Sequence, residues 1–155
     1  MMFYAGGTIA NPNSPGYDFF SNYNSDLGLT VAYSGKLNLI SYLIYTINNT
    51  IYTISLMIFF IASYHFFSEG GKEKWMGLLG VISGIFVGIG LLGAVYTPWD
   101  VYTELHELFT YISFSGILLI VVFFALAIYL NEDYPNKYSY VHLVYLLIVG
   151  FFLIL

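Results

Sequence analysis

The sequence predicts an all-α integral membrane helical bundle, because charged residues are few and the apolar stretches between them are long. Of the 155 residues, 59% are hydrophobic and 8% are charged, and mean hydropathy is +0.77. A soluble domain carries about 25% charged residues, so the composition argues strongly against a water-soluble globular enzyme. Cysteine is absent, which excludes disulfides, thiolate metal sites and cysteine nucleophiles.

Four apolar stretches predict four transmembrane helices. A helix needs about 20 predominantly apolar residues to cross a bilayer. The spans are predicted over residues 37–67, 75–96, 104–130 and 137–155, and the last is the shortest. Together they form a predicted transmembrane bundle over residues 37–155.

Residues 1–36 differ from the rest of the chain in being rich in turn-forming residues, above all over residues 11–17. We predict the end of a hydrophobic helix over residues 1–10, followed by an extracytoplasmic loop that contains one short helix. Both chain ends are apolar, which predicts a chain truncated at both ends. The alternative is a genuine short protein with a hydrophobic amino-terminal tip.

Lysine placement predicts the orientation in the membrane. Lys72, Lys74 and Lys137 lie in loops 68–74 and 131–137, which the positive-inside rule assigns to the cytoplasm of a cell-membrane protein. The other side holds one lysine, Lys36, and several acidic residues: Asp18, Asp26, Asp100, Glu104 and Glu107. The net charge of −5 argues against nucleic acid as a partner, and membrane lipids are the expected one.

The first span carries a polar stripe on one helix face. Its members are three or four residues apart: Asn38, Ser41, Tyr45, Asn48, Tyr52 and Ser55. Polar groups that face lipid are costly, so the stripe is expected to face the bundle or a wet cavity. It serves either for hydrogen bonding between helices or as the lining for a polar headgroup or substrate.

The second span carries two overlapping G-x-x-x-G units formed by Gly80, Gly84 and Gly88. Glycines at this spacing let a neighbouring backbone approach closely. The contact is either within the bundle or between protomers of a homo-oligomer.

The junction of the second and third spans gathers acidic residues and a histidine. In a helix that starts near Asp100, Glu104 and Glu107 follow on the same face, with His106 on an adjacent one. Asp100, Glu104 and His106 could hold a divalent cation, and the imidazole could transfer protons. The alternative is an acidic helix start with His106 hydrogen-bonded inside the bundle. The chain contains neither H-E-x-x-H nor G-x-S-x-G.

Short motifs in the amino-terminal segment and at this junction resemble an uncharacterised family of polytopic membrane proteins. The similar runs lie at residues 3–8, 15–17, 25–28, 33–36 and 97–100. The family is domain of unknown function 998 (DUF998), which is distantly similar to the DRAM-like membrane proteins. The family motif maps onto Pro15, Gly16, Tyr17, Ser25, Asp26, Gly28, Asn38, Asp100 and His106.

The resemblance implies a six-helix bundle, of which this chain would hold the end of helix one through helix five. Most of helix one and all of helix six would then be missing. It implies no particular activity, because none is established for the family.

Chain topology places the amino-terminal loop and the junction near Asp100 on one side of the membrane. We therefore predict an outer-facing pocket that binds a lipid headgroup or a small polar ligand. Its predicted residues are Ser25, Asp26, Asn38, Ser41, Asp100 and His106. The alternatives are a metal-assisted membrane lipid hydrolase, a transporter or channel subunit, and a structural bundle protein; enzyme activity is the less favoured expectation.

Overall fold

The structure, a computed structural model, describes residues 2–67 and 71–154, with side chains described as far as Phe151. It contains four α-helices: α1 (Leu39–Ser63), α2 (Lys72–Tyr96), α3 (Trp99–Leu130) and α4 (Lys137–Ile154). The described residues hold no β-strand, only one isolated antiparallel bridge between Val31 and Leu37. The all-α helical bundle is thus confirmed.

Three helical segments are long and apolar enough to cross a membrane: Leu39–Phe66, Lys72–Tyr96 and Trp99–Leu130. The segment Lys137–Phe151 of α4 is apolar but shorter. The chain therefore has the character of an integral membrane protein, and the crossing by α4 stays a prediction.

The observed helices differ from the predicted spans mainly at their starts. α2 begins at Lys72 rather than at residue 75, and α3 begins at Trp99 rather than at residue 104. The prediction started the second span after Lys74 and the third at Glu104, whereas charged side chains are tolerated in the first turn of a helix at the membrane surface. Part of the predicted loop 68–74 and the chain end at Leu155 lie outside the described residues.

The chain divides into two compact units, of which the first comprises Met1–Thr53 with Gly90–Thr110. In this unit residues 2–10 form turns and extended backbone, not the predicted end of a helix. Gly6 and Gly7 both have positive φ, and a Cβ on Gly7 would lie 2.4 Å from the Ser34 nitrogen. Only glycine fits this close approach of the two backbone segments.

The second unit comprises Ile54–Ile89 with Tyr111–Leu155, and glycines organise its packing. A Cβ on Gly80 would meet the ring of Phe124, and one on Gly84 would meet Phe60, each within 3 Å. The two rings stack on each other with centroids 6.1 Å apart. A Cβ on Gly88 would likewise meet the side chain of Met57 within 3 Å. The glycine face is therefore covered inside the chain, and a homo-oligomer through it stays a prediction.

Candidate ligand-binding site

Asp26, a predicted pocket residue, is buried in the amino-terminal segment, with 1% of its surface exposed. Its carboxylate accepts hydrogen bonds from the Asn22 side chain (3.0 Å), the Tyr23 backbone N–H (2.9 Å) and the Tyr33 hydroxyl (3.3 Å). These donors are all neutral. Burial and, secondarily, the nearby Asp26 charge raise the pKa of Tyr33 to about 12. Asp26 thus organises the turn around it.

Asn38 is fully buried and joins three parts of the amino-terminal segment. Its Oδ1 accepts from the Ala5 N–H at 3.1 Å, and its Nδ2 donates to the carbonyls of Leu27 (3.3 Å) and Leu29 (2.9 Å). The Ser41 hydroxyl donates to the same Leu27 carbonyl at 2.9 Å. The amino-terminal end of the polar stripe therefore satisfies loop backbone groups and leaves Asn38 no free donor.

Asp100, in the first turn of α3, holds the loop that precedes α1. Its carboxylate accepts from the Thr30 N–H (3.0 Å), the Thr30 hydroxyl and the Val31 N–H (2.9 Å). These are charge-assisted hydrogen bonds, which are stronger than neutral ones. The carboxylate is thereby committed to positioning this loop.

His106 is buried, and its Nδ1 lies 2.8 Å from the carbonyl oxygen of Thr97. A carbonyl oxygen can only accept, so Nδ1 carries a proton and donates it to Thr97. The Trp99 ring lies beside it, with centroids 6.0 Å apart. His106 is therefore buried and hydrogen-bonded within the first unit. The alternative to a metal site described such a buried, hydrogen-bonded histidine.

The predicted alignment of Asp100 with Glu104 assumes a regular helix, and α3 is irregular between them. Tyr102 has non-helical backbone angles (φ −130°, ψ 53°), so a spacing of four does not by itself place the two carboxylates on one face. Within residues 2–67 and 71–154, no three or more His, Cys, Asp or Glu residues are grouped so as to hold a metal ion. The divalent-cation site stays a prediction.

A different cavity of about 190 Å³ lies between the amino-terminal segment and the first turns of α1; we call it the Asn48 pocket. Its lining residues are Phe3, Asn24, Leu27, Ser41, Ile44, Tyr45, Asn48 and Asn49. The five contributed by α1 follow the i, i+3, i+4, i+7, i+8 pattern of a single helix face. Three of them, Ser41, Tyr45 and Asn48, belong to the predicted polar stripe.

The carboxamides of Asn24 and Asn48 have no hydrogen-bond partner among the described residues, although both border this cavity. Asn49 differs, because its Nδ2 donates to the Tyr45 carbonyl at 2.8 Å. Asn48 lies nine residues after Leu39, which is about 14 Å along the helix at 1.5 Å per residue. An unpaired carboxamide on this exposed part of the helix face is available to a polar ligand.

Of the predicted pocket residues only Ser41 lines the Asn48 pocket. Ser25 is next to Asn24 in the 3-10 turn Asn24–Gly28 but is not part of the lining, and the other four are held in the contacts given above. Asn24 and Asn49 belong to neither the predicted pocket residues nor the predicted polar stripe. Asn49 is adjacent to the stripe and could have been found on the helix face, whereas Asn24 reaches the pocket only through the fold of the loop.

The two members of the polar stripe nearest the carboxyl end of α1, Tyr52 and Ser55, do not line the pocket. The stripe therefore does not border one continuous cavity in the part of the chain described, and a transport path along it stays a prediction.

The chain matches no protein-family model, no curated protein and no solved structure. Its class is given by the fold: a helical integral membrane protein. The DUF998 resemblance stays a prediction based on short motifs.

Proposed function

We propose that this cell-membrane protein binds a polar lipid headgroup or a small polar ligand in the Asn48 pocket. The observation that carries the proposal is the pair of unpartnered carboxamides, Asn24 and Asn48, on one cavity. One comes from the loop and the other from α1, so a ligand between them would contact both elements.

A bound ligand would supply hydrogen-bond partners to the polar side chains that line the pocket. Both carboxamides are exposed: Asn24 lies in the loop, where water can hydrate it, whereas the Asn48 carboxamide on α1 has no partner where that face meets hydrocarbon. A headgroup presents oxygen atoms to Asn48 and places its acyl chains beside the apolar lining residues Phe3 and Ile44. Both residues are exposed, which suits contact with lipid chains.

Lysine placement supports an outward-facing site. Lys72 and Lys137 begin α2 and α4, on the side that the positive-inside rule assigns to the cytoplasm. The amino-terminal segment precedes α1 and so belongs to the opposite side. We therefore place the Asn48 pocket in the outer leaflet.

The test is the lipid that accompanies the protein out of its native membrane. The protein would be extracted directly into polymer-bounded native discs and its lipids quantified against the bulk membrane. We expect an enriched lipid whose amount falls about fivefold in Asn48→Leu, since one lost hydrogen bond is worth about 1 kcal/mol.

Tyr52→Leu is the matched control, because Tyr52 is an exposed polar residue one turn further along α1 and outside the pocket lining. It should retain the wild-type lipid profile. Bulk lipid composition around all three proteins would contradict the proposal.

A further inference from the structure

We infer that the Asn48 pocket selects an uncharged headgroup that bears hydroxyl or amide groups and discriminates against anionic phosphate; this inference rests on the proposed function. The polar lining groups are all neutral: Asn24, Ser41, Tyr45, Asn48 and Asn49. A carboxamide both donates and accepts hydrogen bonds, as a hydroxyl does, so the two groups are mutually complementary.

Charge in the surrounding unit disfavours an anion. Met1–Thr53 with Gly90–Thr110 contains five acidic residues and one lysine, Lys36. Phosphate recognition normally uses arginine or lysine, and the chain has no arginine. Lys36 is exposed and is not part of the pocket lining. A phosphate placed between Asn24 and Asn48 would therefore meet no cation within the lining.

The size of the pocket narrows the ligand further. A volume of about 190 Å³ is below the ~300–1,000 Å³ of pockets that hold drug-sized ligands. A glycerol group or a single sugar ring is of this order, whereas an oligosaccharide is larger. The ligand class is thus a lipid with one small hydroxylated, uncharged headgroup.

The experiment uses the full chain and two defined lipids with identical acyl chains, monoglucosyldiacylglycerol and phosphatidylglycerol. The protein is equilibrated with an equimolar mixture, and native mass spectrometry measures the ratio of the two bound lipids. We expect the glucosyl lipid to predominate on the wild-type protein.

Asn24→Lys adds a cation at the pocket edge, on an exposed residue outside the helices that span the membrane. It should shift the ratio towards phosphatidylglycerol by about fivefold, the value of an exposed ion pair of ~1 kcal/mol. Asn13→Lys is the control, since it adds the same charge on an exposed residue of the same segment outside the lining. It should leave the ratio unchanged.

The outcomes separate the inference from the proposed function. Preferential retention of phosphatidylglycerol by the wild-type protein overturns the inference while leaving a headgroup site in place. An equal shift in both lysine variants also overturns it, because the selection would then come from overall charge. If Asn48→Leu retains both lipids as the wild type does, the proposed function itself fails.

Discussion

The carboxylate of Asp100 accepts hydrogen bonds from both the backbone N–H and the hydroxyl of Thr30, a residue 70 positions earlier in the chain. This contact fixes the loop before α1 against the first turn of α3. The same loop contributes Asn24 to the Asn48 pocket. The shape of the pocket therefore depends on a carboxylate that is not part of its lining.

Asp100→Ala should loosen this loop without unfolding the helices. Hydrogen bonds to a charged group are worth more than neutral ones, but this carboxylate is exposed, so we expect a loss of about 1–2 kcal/mol. Amide hydrogen exchange at Thr30 and Val31 should accelerate about tenfold, the equivalent of ~1.4 kcal/mol. Glu104→Ala removes an exposed carboxylate on the same helix and should leave these two amides unchanged.

Asn38→Asp should destabilise the amino-terminal segment although it preserves size. An ionised carboxylate cannot donate hydrogen bonds. Its oxygens would therefore face the carbonyl oxygens of Leu27 and Leu29 in a buried site, where the negative groups repel each other. We expect a cost of about 2–4 kcal/mol, measured as increased proteolysis of residues 2–38 at neutral pH. The exposed Asn13→Asp is the control; equal protection in both variants would contradict the role given to Asn38.

Alkaline pH should weaken the amino-terminal segment through Tyr33. Its pKa is raised to about 12 in the folded state against an ordinary value of 10, so the folded state holds the proton more tightly. The resulting stabilisation is complete below pH 10 and is lost as the pH rises from 10 to 12. Tyr33→Phe should reduce the loss of proteolytic protection across this range but not abolish it, because burial also raises the pKa of Tyr4 and Tyr17 in the same segment. The control is Tyr23→Phe at an exposed position, which should keep the wild-type profile.

Gly84→Ala should lower thermal stability, because the added Cβ would lie 2.6 Å from the ring of Phe60. Overpacking of this kind costs about 1–3 kcal/mol. Gly150→Ala is the matched control, since no atom lies within 4 Å of its added Cβ. Alanine also favours a helix over glycine, so that variant should be neutral or slightly stabilised. Equal melting temperatures for the two variants would contradict the packing assigned to Gly84.

The fold class could be predicted because the hydrocarbon core of a membrane restricts which folds can cross it. A hydrocarbon environment excludes charge and requires internal backbone hydrogen bonds, and both constraints appear in the local sequence. Helix starts were less accurate, since Lys72 is compatible with a first turn at the membrane surface. The irregularity at Tyr102 lies one turn after Pro98, whose carbonyl accepts the Tyr102 N–H at 2.8 Å, but the predicted span began only at residue 104 and so did not include it.

The site was predicted in part. The polar stripe lies on the face of α1 from which Ser41 and Asn48 line a pocket. Asp26 and Asp100 were chosen because carboxylates suit ligand and metal chemistry, but the structure uses both to hold backbone and side-chain donors of the loop. Sequence reasoning alone cannot distinguish these uses, because the partners of Asp100 are 70 residues away.

The central claim is that the Asn48 pocket holds a selected lipid, and photo-crosslinking in intact membranes tests it most directly. A photoreactive amino acid would replace Ile44, which lines the pocket, or Ile47, which is exposed on α1 outside it. We expect the adduct at position 44 to be enriched in one lipid species and the adduct at position 47 to follow bulk composition. Identical lipid adducts at the two positions would contradict the account.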